Sequence, residues 1–61
     1  RVARILAYAK EVFGTDLKAS TWLTRANRIL DGTAPLDLLD TDLGSQVVES
    51  MLGRIEYGVI G

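Results

Sequence analysis

Sixty-one residues, 48% hydrophobic and 25% charged, make one small domain with enough apolar side chains for a core. With no cysteine there is neither a disulfide scaffold nor a thiolate metal site, and with no histidine the commonest general base and metal ligand is missing. Seven Lys and Arg against eight Asp and Glu leave a formal net charge of −1, so no strong field draws nucleic acid or an anionic membrane. No apolar run approaches the about 20 residues of a membrane span, and no signal-peptide pattern is visible. These features describe a small soluble helical module, expected in the cytoplasm. A core of this size leaves only about 3–5 kcal/mol of net stability. A partner chain, a second copy or another protein, is therefore expected. The chain starts at Arg1 rather than Met and reads as part of a longer protein.

The segment from Arg1 to Phe13 carries Val2, Ile5, Leu6, Ala9, Val12 and Phe13 on one stripe at helical period, with Arg1, Arg4, Lys10 and Glu11 off it. Gly14 suits the left-handed end of that helix, and Thr15 or Asp16 caps the next. The second helix runs from about Leu17 to Thr24 or Arg25 and buries Ala19, Trp22, Leu23 and Ala26. Trp22, the only tryptophan, is expected at the centre of the core; a ligand-stacking role has no companion aromatic nearby in sequence. Asn27 to Leu30 reads as a loop or a single turn, and Asp31-Gly32 as a turn.

Thr33 or Ala34 precedes a short third helix with Pro35 at its first position, where no N–H is needed, followed by Leu36, Leu38 and Leu39. Asp40 or Thr41 then caps the last helix, Asp42 to Tyr57, whose apolar stripe is Leu43, Val47, Val48, Met51, Leu52 and Ile55. Glycine costs about 1 kcal/mol against alanine inside a helix, so Gly44, close to the stripe, and Gly53, off it, each imply close approach of another helix. Gly58 ends the helix, leaving Val59, Ile60 and Gly61 as a short apolar tail. The fold expected is all-α: a single domain over residues 1–61 with three to four helices, a long C-terminal helix and that tail.

Little here supports catalysis. Ser20, Ser45 and Ser50 have no histidine to activate them and no lysine at helical spacing. Asp37, Asp40 and Asp42 lack the spacing of a calcium loop and sit where helices begin and end, as capping residues do. The six glycines are scattered and form no phosphate loop. No enzyme activity, catalytic residue, cofactor or metal is expected. The cations are dispersed among acids with no recognition helix, so this segment alone is not expected to bind nucleic acid. Burying Val59 and Ile60 of the tail would contribute about 3–6 kcal/mol, so the C-terminus is the most informative part of the chain; on the residues alone it reads as a frayed end without a role or as packing against the first helix before any partner is invoked.

Val12-Phe13-Gly14, Trp22-Leu23, Asn27, Leu30 and Gly32, Pro35-Leu36-Asp37-Leu38-Leu39, Thr41, Gly44, Val48, Leu52 and Arg54-Ile55-Glu56-Tyr57-Gly58-Val59 together resemble the Xre/MbcA/ParS-type antitoxin C-terminal domain. This is the toxin-binding domain of bacterial RES–Xre toxin–antitoxin systems. The resemblance covers nearly the whole chain, and the Pro35–Leu39 segment with the Arg54–Val59 ending is its specific part. It implies an antitoxin that binds a RES-domain toxin, an NAD-consuming enzyme, and obstructs its active-site entrance. Carried onto this chain, the blocking element is Tyr57, Gly58, Val59, Ile60 and Gly61, flanked by Arg54 and Glu56 as groups that can pair with toxin charges. The chain departs from the family in having Ala26-Asn27 for Pro-Asn, Asp31-Gly32 for Gly-Gly, and Ile60-Gly61 where an aromatic and a small residue are common. The competing expectations are a homodimerisation module whose glycine-bearing last helix packs on its own copy, or the C-terminal part of a DNA-binding autorepressor.

Overall fold

The computed structural model describes residues 2–58, so Arg1 and the tail residues Val59, Ile60 and Gly61 lie outside the described residues. In chain order the elements are α1 (Val2–Phe13), α2 (Asp16–Thr24), a 3-10 turn (Arg28–Leu30), a second 3-10 turn (Pro35–Leu38) and α3 (Asp42–Tyr57). The domain is all-α as expected. Asn27 and Thr33 form an isolated bridge that closes the first 3-10 turn, and no strand occurs among the described residues.

Caps set the boundaries. Gly14 adopts φ 90° and its N–H donates to the Lys10 carbonyl at 2.7 Å, ending α1. Thr15 then accepts from the Lys18 N–H, so it rather than Asp16 caps α2. The stretch expected as a loop or single turn is a tight 3-10 turn: Asn27 Oδ1 accepts from the Ile29 N–H at 2.9 Å, and the Gly32 N–H donates back to the Asn27 carbonyl at 2.8 Å. The short third helix is also 3-10 in geometry. Ala34 precedes it without a side-chain cap, Pro35 stands in its first turn, and Thr41 caps α3 by accepting from the Gly44 N–H.

The core consists of Ile5 and Ala9 from α1, Ala19 and Leu23 from α2, Leu39, and Val48 and Leu52 from α3. The expected stripes therefore lie inward only along their centres. Leu43 is 72% exposed, Val47 and Ile55 are also exposed, and Ala26 lies beyond the end of α2 on the surface. Trp22 is half-buried at the edge of the core rather than at its centre, because α2 is short and turns its Ala19 and Leu23 face inward.

Gly44 has a specific reason to be glycine. A Cβ there would stand 1.9 Å from the Leu38 carbonyl oxygen and 2.9 Å from Thr41 Oγ1. The close approach expected from sequence is made by the backbone of the second 3-10 turn. At Gly53 the nearest atom to such a Cβ is the Tyr8 hydroxyl at 3.5 Å, an ordinary contact. Among the described residues one buried side-chain polar atom lacks a partner: Ser45 Oγ, beside Gly44 on the inner face of α3.

The two glycines should therefore respond in opposite ways. Gly44→Ala pushes a methyl group into backbone that cannot rotate away, so its cost should reach or exceed the upper end of the about 1–3 kcal/mol seen for overpacking. The thermal midpoint should then fall by more than about 10 °C. Gly53→Ala should leave it unchanged or raise it through helix propensity. Equal midpoints for the two variants in a thermal melt would contradict the packing described here.

Candidate functional site

The residues singled out at the C-terminus sit on the last turns of α3. Arg54, Glu56 and Tyr57 are all exposed, and Tyr57 is 76% exposed. Gly58 adopts φ 61° and ψ 38°, and its N–H donates to the Arg54 carbonyl, closing the helix with a left-handed cap. A residue with a Cβ pays about 1–2 kcal/mol for that conformation, so glycine here turns the chain off the helix axis at little cost. The structure thus brings Arg54, Glu56, Tyr57 and Gly58 to one end of α3, while Val59, Ile60 and Gly61 of the expected blocking element lie outside the described residues.

Two polar links between α1 and α3 fix where that end lies. Arg4 pairs with Glu49, and the Tyr8 hydroxyl donates to Glu56 Oε1 at 2.9 Å. Both partners advance along their helices in the same direction, so α1 and α3 run roughly parallel and their C-terminal ends share one end of the domain. Glu56, expected to offer its charge to a partner, is already engaged by Tyr8. That bond, reinforced by desolvation and by neighbouring negative charge, pushes the Tyr8 phenol from its ordinary value of 10.0 up to about 12. Tyr8 was not singled out from sequence; its position one turn beyond Arg4 on α1 is its only signal there.

Two further surfaces are apolar. The first runs along α3 as Leu43, Val47 and Met51 and continues onto Ile29 and Leu30 of the first 3-10 turn, enclosing a shallow cleft of about 410 Å³ with Arg54 at its rim. Ile29 is 79% exposed. The second is a cleft of about 420 Å³ between the end of α1 and the outer side of α2, and Phe13, Leu17 and Trp22 contribute its apolar lining. The Phe13 and Trp22 rings lie 5.5 Å apart at a 38° tilt, so Trp22 has the aromatic companion that sequence proximity did not reveal. Among the described residues no cluster of acidic side chains converges as a metal site would require, and no helix is long and apolar enough to cross a membrane.

The described residues thus form an all-α body whose last helix is closed by a left-handed glycine cap, with Arg54 and Tyr57 exposed beside it. Comparison with known proteins gives the family. The family model described as the antitoxin Xre/MbcA/ParS C-terminal toxin-binding domain matches residues 9–58, and the chain belongs to that family. Similar curated proteins are the antitoxin Xre of Photorhabdus laumondii, 36% identical over 98% of this chain and 41% of its own length, and that of Pseudomonas putida, 40% identical over 95% of this chain and 36% of its own. The antitoxin Xre of Yersinia enterocolitica is 37% identical over 97% of this chain and 40% of its own length. The chain thus spans about two fifths of the length of the curated relatives it matches. No solved structure matches.

The Tyr8–Glu56 bond has a pH signature. The phenol is held protonated in the fold up to about pH 12 but ionises near 10 when unfolded, so the stability from this group is complete below about pH 10 and is lost as pH climbs towards 12. Urea melts at successive pH values should show a fall across that window which Tyr8→Phe diminishes. An equal fall in both proteins would show that the bond does not contribute.

Proposed function

We propose that this domain is the toxin-binding part of an antitoxin that neutralises a RES-domain, NAD-consuming toxin in the bacterial cytoplasm. The helical body docks on the toxin, and Tyr57, Gly58, Val59, Ile60 and Gly61 enter the mouth of the NAD cleft, with Arg54 at their base as a cation for a toxin carboxylate. The observation that carries this reading is the left-handed cap at Gly58 directly after an exposed Tyr57, which ends the longest helix and turns the backbone off its axis. Membership of a toxin-binding family supports the partner class. The domain itself supplies no catalytic group in this reading: it works by steric exclusion, so the substrate chemistry belongs wholly to the toxin. Docking supplies most of the affinity and the tail supplies the inhibition.

Removing Val59, Ile60 and Gly61 should therefore restore NAD consumption by the toxin encoded in the neighbouring reading frame, while the truncated chain still binds it in a pull-down or by calorimetry. Undiminished inhibition by the truncated chain would exclude the mechanism.

Self-association is a second reading, favoured by the exposed face of Leu43, Val47, Met51 and Ile29. Both helix glycines meet neighbours within the protomer, so the face available to a second copy is this one rather than the glycine-bearing face. Leu43→Glu should shift sedimentation equilibrium from dimer to monomer without loss of helicity; a wild-type chain that is monomeric at millimolar concentration rules the dimer out.

A further inference from the structure

The Phe13–Trp22 cleft is not absorbed by the C-terminal mechanism, and its surroundings state what it can hold. Leu17 is 77% exposed on the outer side of α2 and contributes nothing to the core, although the same helix buries Ala19 and Leu23. Lys18 lies one helical turn before Trp22, Arg25 follows at the extended C-cap of α2, and both line the cleft. Two other polar groups of the lining are engaged within the chain. The Thr21 hydroxyl donates to the Leu17 carbonyl at 2.8 Å, and Asn27 Oδ1 accepts from the Ile29 N–H. No carboxylate lines the cleft. The nearest acid in sequence, Asp16, faces Lys10 at 3.7 Å across the α1–α2 turn.

An aromatic floor with two cations at its rim and no acid calls for an acidic partner with an apolar anchor. We propose that this cleft docks an acidic segment of the toxin, seating one large apolar side chain against Trp22, Phe13 and Leu17 while Lys18 and Arg25 pair with its carboxylates. This inference rests on the toxin-binding reading and names the chemistry of the segment recognised. Two cations in a chain of net charge −1 suit a pair of carboxylates; a nucleic acid strand needs a longer track of positive charge along its phosphates. The cleft also borders the end of α1, at the same end of the domain as Gly58, so one partner can engage both surfaces.

Trp22 is the only tryptophan in the chain, so 5-fluorotryptophan labelling gives a single fluorine resonance that reports on the cleft. The labelled chain is titrated with the unlabelled toxin from the neighbouring reading frame, in parallel with K18E/R25E and with Leu17→Ala, all at exposed positions. The proposal predicts that the Trp22 resonance shifts on toxin binding. It also predicts that each variant weakens binding at least tenfold while circular dichroism is unchanged, and that K18E/R25E flattens the salt dependence. Toxin binding with an unmoved resonance, or with unaltered affinity in either variant, overturns the cleft and leaves the toxin-binding reading intact. No binding of toxin to the wild-type chain defeats both. A resonance that shifts with a single-stranded oligonucleotide, or with the concentration of the chain itself, but not with toxin, assigns the cleft to nucleic acid or to a second copy and also overturns the proposal.

Discussion

The structure depends on the contact between Gly44 and the Leu38 carbonyl. With so small a core, α3 holds its position by letting the backbone of the second 3-10 turn rest directly on its first turn, where a side chain would leave 1.9 Å. That contact sets the depth at which Val48 and Leu52 enter the core and hence the orientation of the whole helix. Thr41 caps the helix at the same point, so one short segment both starts α3 and seats it. Ser45, adjacent and buried, has a hydroxyl without a partner, an energetic cost accepted within the same crowded turn.

From that fixed end α3 extends through its length to the surface that the proposed reading assigns to the toxin. Its inner face is held by packing, its flank by the Tyr8–Glu56 bond and the Arg4–Glu49 pair, and its last turn is exposed. An exposed ion pair contributes only about 0–1 kcal/mol, so the Arg4–Glu49 pair orients α3 more than it stabilises it. The result is a helix held at its first turn by Gly44 and near its last by Glu56, and on the proposed reading that fixed orientation lets a few residues obstruct an enzyme's entrance.

Much of this was legible in the sequence, and what escaped did so for physical reasons. Gly14, Thr15, Thr41 and Gly58 marked their helix ends because capping is local: a hydroxyl or a missing Cβ acts on a backbone group within a few residues. The central positions of the stripes, such as Ile5, Ala9, Val48 and Leu52, were also clear. Their edges were not, because periodicity gives the direction of a face but not its width. Leu43, Val47 and Ile55 share the pattern and remain exposed since no element packs over them among the described residues. Trp22 was misplaced at the centre of the core because residue size suggested burial, whereas the shortness of α2 decides it. The 3-10 geometry of both turns, the Tyr8–Glu56 bond and the Phe13–Trp22 pair arise from contacts between segments, which a one-dimensional pattern does not carry. At the C-terminus the residues of α3 and the Gly58 cap were readable, and so was the family; the partner's shape was not.

The central claim is that the end of α3 stands in the NAD entrance of a toxin. Photo-crosslinking from position 57 tests it most directly: Tyr57, exposed and outside the core, is replaced by benzoylphenylalanine, the complex with the neighbouring-frame toxin is irradiated, and the linked peptide is identified by mass spectrometry. The account predicts attachment to residues lining the NAD cleft, with a yield that falls as NAD is raised to saturation. Attachment to a surface remote from that cleft, at a yield indifferent to NAD, would contradict it.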